Sequence, residues 1–267
     1  MAFAKPGKYA SKLIDKKVLV LGGTSGLGFA VAEAAWEFGA KVTISGSRQP
    51  KVDHKLSEMK SNNPAGDVSK LQGFACDLGN KETLEGNLKS LFDQATDSGT
   101  TKLDHIVFSA GDAPPMKPLA EVDVAYLHAA GLVRLAAPFI IGKLCAAHGY
   151  LKSSASSSIT FTSGVSESKP GAGQSSMLAA FGGIEVFTRG LAVDLAPVRV
   201  NCVAPGGVDT ELSQAFGGES LLNHFRERST TKTVGKPEDV AEAYLYSMRD
   251  QFVTGTVIES NGGGLLV

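Results

Sequence analysis

The chain is poor in most features that mark a specialised surface. Three of its 267 residues are cysteine, Cys76, Cys145 and Cys202, each in an apolar segment. Scattered thiols exclude a disulfide framework and read as reduced core residues of a cytosolic protein. An excess of one charge is also lacking, since 26 basic and 27 acidic side chains leave a net charge of −1. No nucleic-acid partner is expected from that balance. No uninterrupted apolar run approaches the roughly 18 residues of a membrane span, so no membrane partner is expected. The stretch from Met1 to Asp15 has lysines but no apolar signal core and no transit-peptide arginines. It reads as a flexible, solvated arm. The most informative scarcity is local: no tyrosine and no lysine occurs between Pro170 and Lys232.

What is present is a strict alternation of patterns. With 43% hydrophobic residues, the chain has ample material for one large core. Strands are predicted at 17–21, 41–45, 71–76, 104–109, 158–162, 198–203 and 252–259. Helices are predicted at 28–39, which carries an apolar stripe, at 51–61, which is polar, and at 81–96, 123–148 and 176–195. Residues 153–157 are serine-rich and read as a loop. Alternating strands and helices imply an α/β, Rossmann-type, doubly wound parallel sheet of about seven strands with helices on both faces. No interior linker appears, so residues 16–267 form a single domain after an arm at 1–15. Ligands of such sheets lie at the carboxyl ends of the strands.

Gly22, Gly26 and Gly28 follow the first strand with the spacing G-x-x-x-G-x-G, and Thr24, Ser25 and Leu27 stand between them. Glycines there let the backbone approach a pyrophosphate, and the helix start offers it free N–H groups. A glycine-rich turn alone is also what any tight strand-to-helix turn uses. The end of the second strand separates the cofactors. An acid there would bind the ribose hydroxyl of NAD, whereas this chain has Ser45-Gly46-Ser47-Arg48 and no acid before Asp53. Arg48 suits a 2′-phosphate and Ser47 can donate to it, which favours NADPH/NADP+. No metal site is expected, because Cys145 and His148 are only two possible ligands.

With further motifs added, the chain resembles the short-chain dehydrogenase/reductase family over nearly its whole length. Asp77 and Leu78 look like the family's adenine-contacting pair after strand three. Ala110 and Gly111 match the end of its Asn-Asn-Ala-Gly. The run from Arg199 through Pro205, Gly206 and Val208 to Thr210 is similar to its cofactor-closing segment. By that resemblance, the Val208 backbone meets the nicotinamide amide and Thr210 the phosphates. The family's Asn, Ser, Tyr and Lys centre is matched only at Ser163. Arg134 stands at the Asn position, Met177 at the Tyr position and Phe181 at the Lys position.

Neither Met nor Phe transfers a proton, and a positioned acid is worth on the order of 10²–10⁴ in rate. Ser175 and Ser176 are poor substitutes as acids. Arg134 can stabilise negative charge on a substrate oxygen, or it can bridge two chains in the helix-pair interface common in the family, or pair with Glu167. Glu167 and Lys169, in the loop after Ser163, can supply a proton or orient substrate, or else are solvated loop charges. Residues 211–233 read as a substrate lid. Its Phe216, Leu221, Leu222, His224 and Phe225 suggest a fairly apolar small-molecule substrate.

Three functions follow. The first is an NADPH-dependent reductase whose acceptor needs little protein acid, an imine, iminium or activated carbonyl intermediate of a specialised pathway. Divergent fungal members that lack the Tyr–Lys pair resemble this, reducing such species and guiding ring closure. The second is a non-redox cyclase or isomerase in the former substrate cavity. The third is an NADP(H)-binding scaffold. The family resemblance further implies a homodimer or homotetramer, and Ala179, Ala180, Gly182 and Gly183 would permit close helix packing.

Overall fold

The computed structural model describes residues 7–111 and 117–267, and the side chains of all of these except Ala180 and Phe181. Its sheet has seven parallel strands in the order β3-β2-β1-β4-β5-β6-β7. They are β1 (Lys17–Leu21), β2 (Lys41–Gly46), β3 (Leu71–Ala75), β4 (His105–Phe108), β5 (Ser158–Thr162), β6 (Arg199–Pro205) and β7 (Val257–Ser260). β7 is shorter than the apolar stretch 252–259 suggests, and Phe252 lies almost fully exposed. The order reverses beside β1, which pairs with β2 on one side and β4 on the other. That divergence opens the crevice where doubly wound sheets hold ligands.

The first helix, α1 (Gly26–Glu37), starts in the glycine turn and ends at Gly39, whose φ of +85° suits a left-handed stop. It packs on α9 (Pro237–Arg249), and with α2 (Gln49–Asn62) covers one face of the sheet through Val31, Trp36, Val52, Met59, Tyr244 and Leu245. The other face carries α3 (Leu84–Thr96), α5 (Ala137–His148) and α7 (Ile184–Asp194), with Leu88, Phe92, Ile141, Leu144, Phe161 and Leu191 inside. Each such side chain contributes about 1.5–3 kcal/mol by leaving water. Between β3 and β6, α4 (Val124–Gly131) begins at Asp123, whose carboxylate accepts from Tyr126 N, and α6 (Ser175–Phe181) packs on α4.

Several expectations need adjustment. The helix expected at 123–148 is continuous but passes through a π-helical turn at Leu132–Ala136, which carries Arg134. The helix expected at 176–195 is broken at Gly182 and Gly183 into α6 and α7. Ala180 and the Phe181 side chain lie outside the described side chains. The arm is anchored in its last turn, where Leu13 is buried and Asp15 pairs with Lys70 at 2.8 Å. Val124–His148 and Ser175–Asp194 are long and apolar enough to cross a membrane by length and composition alone. Those stretches contain a few charges, so no uninterrupted apolar run marks them. Helices of a core or an interface meet the same test.

Candidate active site

The carboxyl ends of the strands carry a dinucleotide cradle made of backbone. Gly22 has a φ of +86°, and a Cβ on it would stand 2.5 Å from Ala110 N. A Cβ on Gly28 would overlap the Gly22 carbonyl and Ser109 Oγ. No side chain fits at either place, which is what close approach to a pyrophosphate needs. The first N–H of α1, on Gly26, already faces an anion: Glu211 Oε2 accepts from it at 2.9 Å. That carboxylate stands in for a phosphate oxygen at a helix N-terminus. The residues present therefore fit a dinucleotide.

The other expected cofactor residues divide. Ser47 and Arg48 are exposed just past β2, free to meet a 2′-phosphate. Thr24 is buried and packs on Gly46, where a Cβ would come within 2.6 Å of its Oγ1, so it shapes the turn instead of facing outward. Ser25 precedes α1 without a side-chain cap. Leu27 lines the neighbouring cleft. Asp77 is exposed and accepts from Gly79 N at 2.9 Å, whereas Leu78 is turned into the core. Thr210 was expected on the phosphates, but its Oγ1 accepts from Ser213 N at 3.2 Å and starts α8 (Glu211–Glu227). Its methyl still abuts Gly26. Pro205, Gly206 and Val208 line the cleft, and Val208 is tied to Gly235.

That cleft has a volume of about 970 Å³ and is mostly apolar. Its floor is the loops after β5 and β6, and its far wall is α8. Helix α8 is kinked at Gly218, whose φ is +52°. Phe216, Leu221 and Phe225 face in, as does His224. Phe225 lies directly on Gly207, where a Cβ would overlap its ring. Met177, the residue expected at the family's tyrosine position, lines the cleft. Ser176 is no substitute acid, because its Oγ donates to Lys117 O at 2.9 Å and the residue is buried. Arg134 also lines the cleft and spreads its guanidinium over Gly111, leaving no room for a Cβ there. Lys169 lines it too, with Nζ donating to Gly264 O at 3.3 Å.

The most unusual feature lies just under Ser163. Its Oγ donates to Glu185 Oε1 at 2.9 Å. Glu167 was expected at the mouth of the site but is turned inward. It does not line the cleft, and both its carboxylate oxygens are buried without a hydrogen-bond partner among the described residues. Burial first, and the charge of Glu185 second, push its pKa up to about 8. Burial first, and these same two carboxyls in smaller part, help to raise the Cys202 thiol to about 12 beside Ser163. Glu185 escaped the sequence reading. Its signal was there: it stands four residues after Phe181, one helical turn beyond the position expected to hold a lysine.

A family model described as an SDR-like Rossmann domain matches residues 9–267. The chain belongs to the short-chain dehydrogenase/reductase family. The short-chain dehydrogenase/reductase fsr5 of Gibberella fujikuroi is 41% identical over 98% of this chain and 99% of its own length. The structure of the MalC reductase/Diels-Alderase of Malbranchea aurantiaca is 41% identical, covers 97% of this chain and 100% of that one, and has a TM-score of 0.89. A small-chain dehydrogenase solved in complex with NADPH is 26% identical over 95% of this chain and 100% of that one, with a TM-score of 0.74. The relatives thus join an oxidoreductase fold to fungal members, one of which is named for both reduction and cycloaddition.

Proposed function

We propose that this chain is an NADPH-dependent reductase of a cationic C=N acceptor, working without a protein acid. The observation that carries the reading is the pairing of a steric dinucleotide cradle with a cleft whose tyrosine position is Met177. Gly22, Gly26 and Gly28 would hold the pyrophosphate, Ser47 and Arg48 the 2′-phosphate, Asp77 the adenine side, and the backbone from Pro205 to Val208 the nicotinamide side. When bound, NADPH supplies a hydride, which an iminium carbon takes while the C=N π pair becomes the nitrogen lone pair, leaving NADP+ and a neutral amine with no proton from the protein. Ketone reduction would need a proton at oxygen, and Met177 has none to give.

The residues of the chain have other tasks. Helix α8 acts as the lid, with its kink at Gly218 and its aromatic face over the cleft, and it excludes water from a fairly apolar substrate. Glu185, beneath Ser163, offsets the positive charge of the acceptor. Arg134 orients a polar group of the substrate from its place over Gly111. The Malbranchea relative is named a reductase/Diels-Alderase. On that likeness, the same large cleft also holds its product folded for ring closure. Exposed Phe139, Val186 and Val193 on α5 and α7 give a face for a second copy of the chain, as a homodimer or homotetramer, which sedimentation would detect.

The test is a panel of cyclic imines and matched ketones assayed for NADPH oxidation, preceded by titration with NADPH, NADP+, NADH and NAD+. The expected result is micromolar NADPH binding, about tenfold tighter than NADH, and one-for-one oxidation with imines alone. Absence of oxidation across a broad imine panel would remove the reading.

A further inference from the structure

The serine of the cleft wall has one proton to give, and it is given inward. Ser163 Oγ donates to Glu185 Oε1 at 2.9 Å. A serine hydroxyl has a single O–H and two lone pairs. With the O–H taken by Glu185, the cleft that Ser163 lines meets only lone pairs. A serine that serves a carbonyl must do the reverse and aim its O–H at the substrate oxygen.

We infer that Glu185 sets Ser163 as a hydrogen-bond acceptor, so that the cleft selects ligands bearing an N–H, a protonated cyclic imine before reduction and its secondary amine after it, over carbonyls and over fully N-alkylated cations. The inference rests on the proposed imine chemistry and assigns the polarity of its recognition site. Glu185 lies in the first turn of α7, half-buried and off the cleft wall, so it is a positioning residue that acts through Ser163. The backbone of Ser163 is itself fixed, with its N–H donated to Val203 O at 2.9 Å. Ser163 is largely buried, so only a small part of it meets the cleft. Glu167 supports the arrangement from below. Buried and unpartnered, it keeps its proton at neutral pH and so adds no second charge beside Glu185. Lys169, a cation on the same wall, has its Nζ turned to Gly264 O.

The test compares ligands that differ only in the N–H. Dihydroisoquinoline, buffered below its own pKa, is set against its N-methyl cation as a substrate with NADPH. Tetrahydroisoquinoline as its ammonium ion is set against the quaternary N,N-dimethyl ion in calorimetric titrations with NADP+ present, where no turnover occurs. An N–H donated by a cation to Ser163 should give the wild-type protein at least about tenfold preference for the N–H member of each pair. Ser163→Ala, which removes the acceptor, and Glu185→Leu, which frees the O–H to face the cleft, should each erase most of that preference. A general loss of packing would weaken both members alike, so the ratio separates positioning from mere structure. Wild-type protein that binds both ions equally overturns the inference even if neither variant folds. An unchanged ratio in folded Ser163→Ala overturns it as well. Selective ammonium binding without NADPH oxidation would leave the inference standing and sink the reductase reading. Equal reduction of both iminium ions would do the opposite.

Discussion

The two halves of the cleft are made of different material. Around β1, β2 and β4 the site is backbone. Gly22, Gly28 and Gly46 are pressed against other atoms so closely that no side chain fits, and binding falls to N–H groups and a helix end. Around β5, β6 and α7 the site is side chains, with Ser163 on Glu185, Glu167 orphaned and Met177 on the wall. A backbone site is fixed by sterics and keeps its ligand as long as the chain folds that way. A side-chain site changes its chemistry with each replacement. The fold can therefore retain a hydride donor's berth while losing the proton donor beside it.

The largest effect is expected in the backbone half. Gly28→Ala would drive a methyl into the Gly22 carbonyl and Ser109 Oγ. Overpacking costs about 1–3 kcal/mol, so NADPH affinity should fall up to about a hundredfold in calorimetric titration. Near-normal binding would mean that sterics do not fix the cradle.

In the side-chain half, Glu167→Gln should change stability and its pH dependence. The folded pKa of about 8 stands above the unfolded value of 4.5. Folding therefore holds a proton that the unfolded chain releases, and wild-type stability falls as pH rises from about 4.5 to about 8. Glutamine has no proton to lose. The variant should match wild type near pH 4 and melt about 5 °C or more higher at pH 8. Parallel melting curves at all pH values would show that the carboxyl is solvated.

Two smaller effects sharpen the cofactor side. Arg48→Ala removes a charge-assisted partner worth about 1.5 kcal/mol or more. NADPH affinity should fall about tenfold while NADH binding stays as it is. Glu211→Gln removes the charge that competes for the Gly26 N–H. Helix-end charges are worth about 0.3–1 kcal/mol, so NADPH should bind about two- to fivefold tighter. Weaker binding would make Glu211 a supporter of the cofactor.

Much of this is legible in the sequence. The order of strands and helices follows from period-two and period-3.6 patterns, which are local. The glycine turn is a steric signal that needs no partner to interpret. What stayed hidden depends on distant packing. Nothing in the sequence tells that Glu167 turns inward, because the direction of a carboxyl between elements is set by tertiary packing. Glu185 was visible as a residue but not as the partner of Ser163, 22 positions away. Thr24 and Leu78 sit in motif positions, yet their side chains are used for packing. The break at Gly182 and Gly183 was legible as two glycines, but the same pair also reads as a flat surface for helix contact.

The proposed hydride transfer needs no protein acid. It is tested most directly with NADPH deuterated at the transferable position, one protonated cyclic imine and one ketone of matched shape. One deuterium is expected at the former imine carbon for each NADPH consumed, and none in an alcohol. Deuterium appearing in the alcohol but not in the amine would contradict it, and would mean that an acid still stands in the cleft.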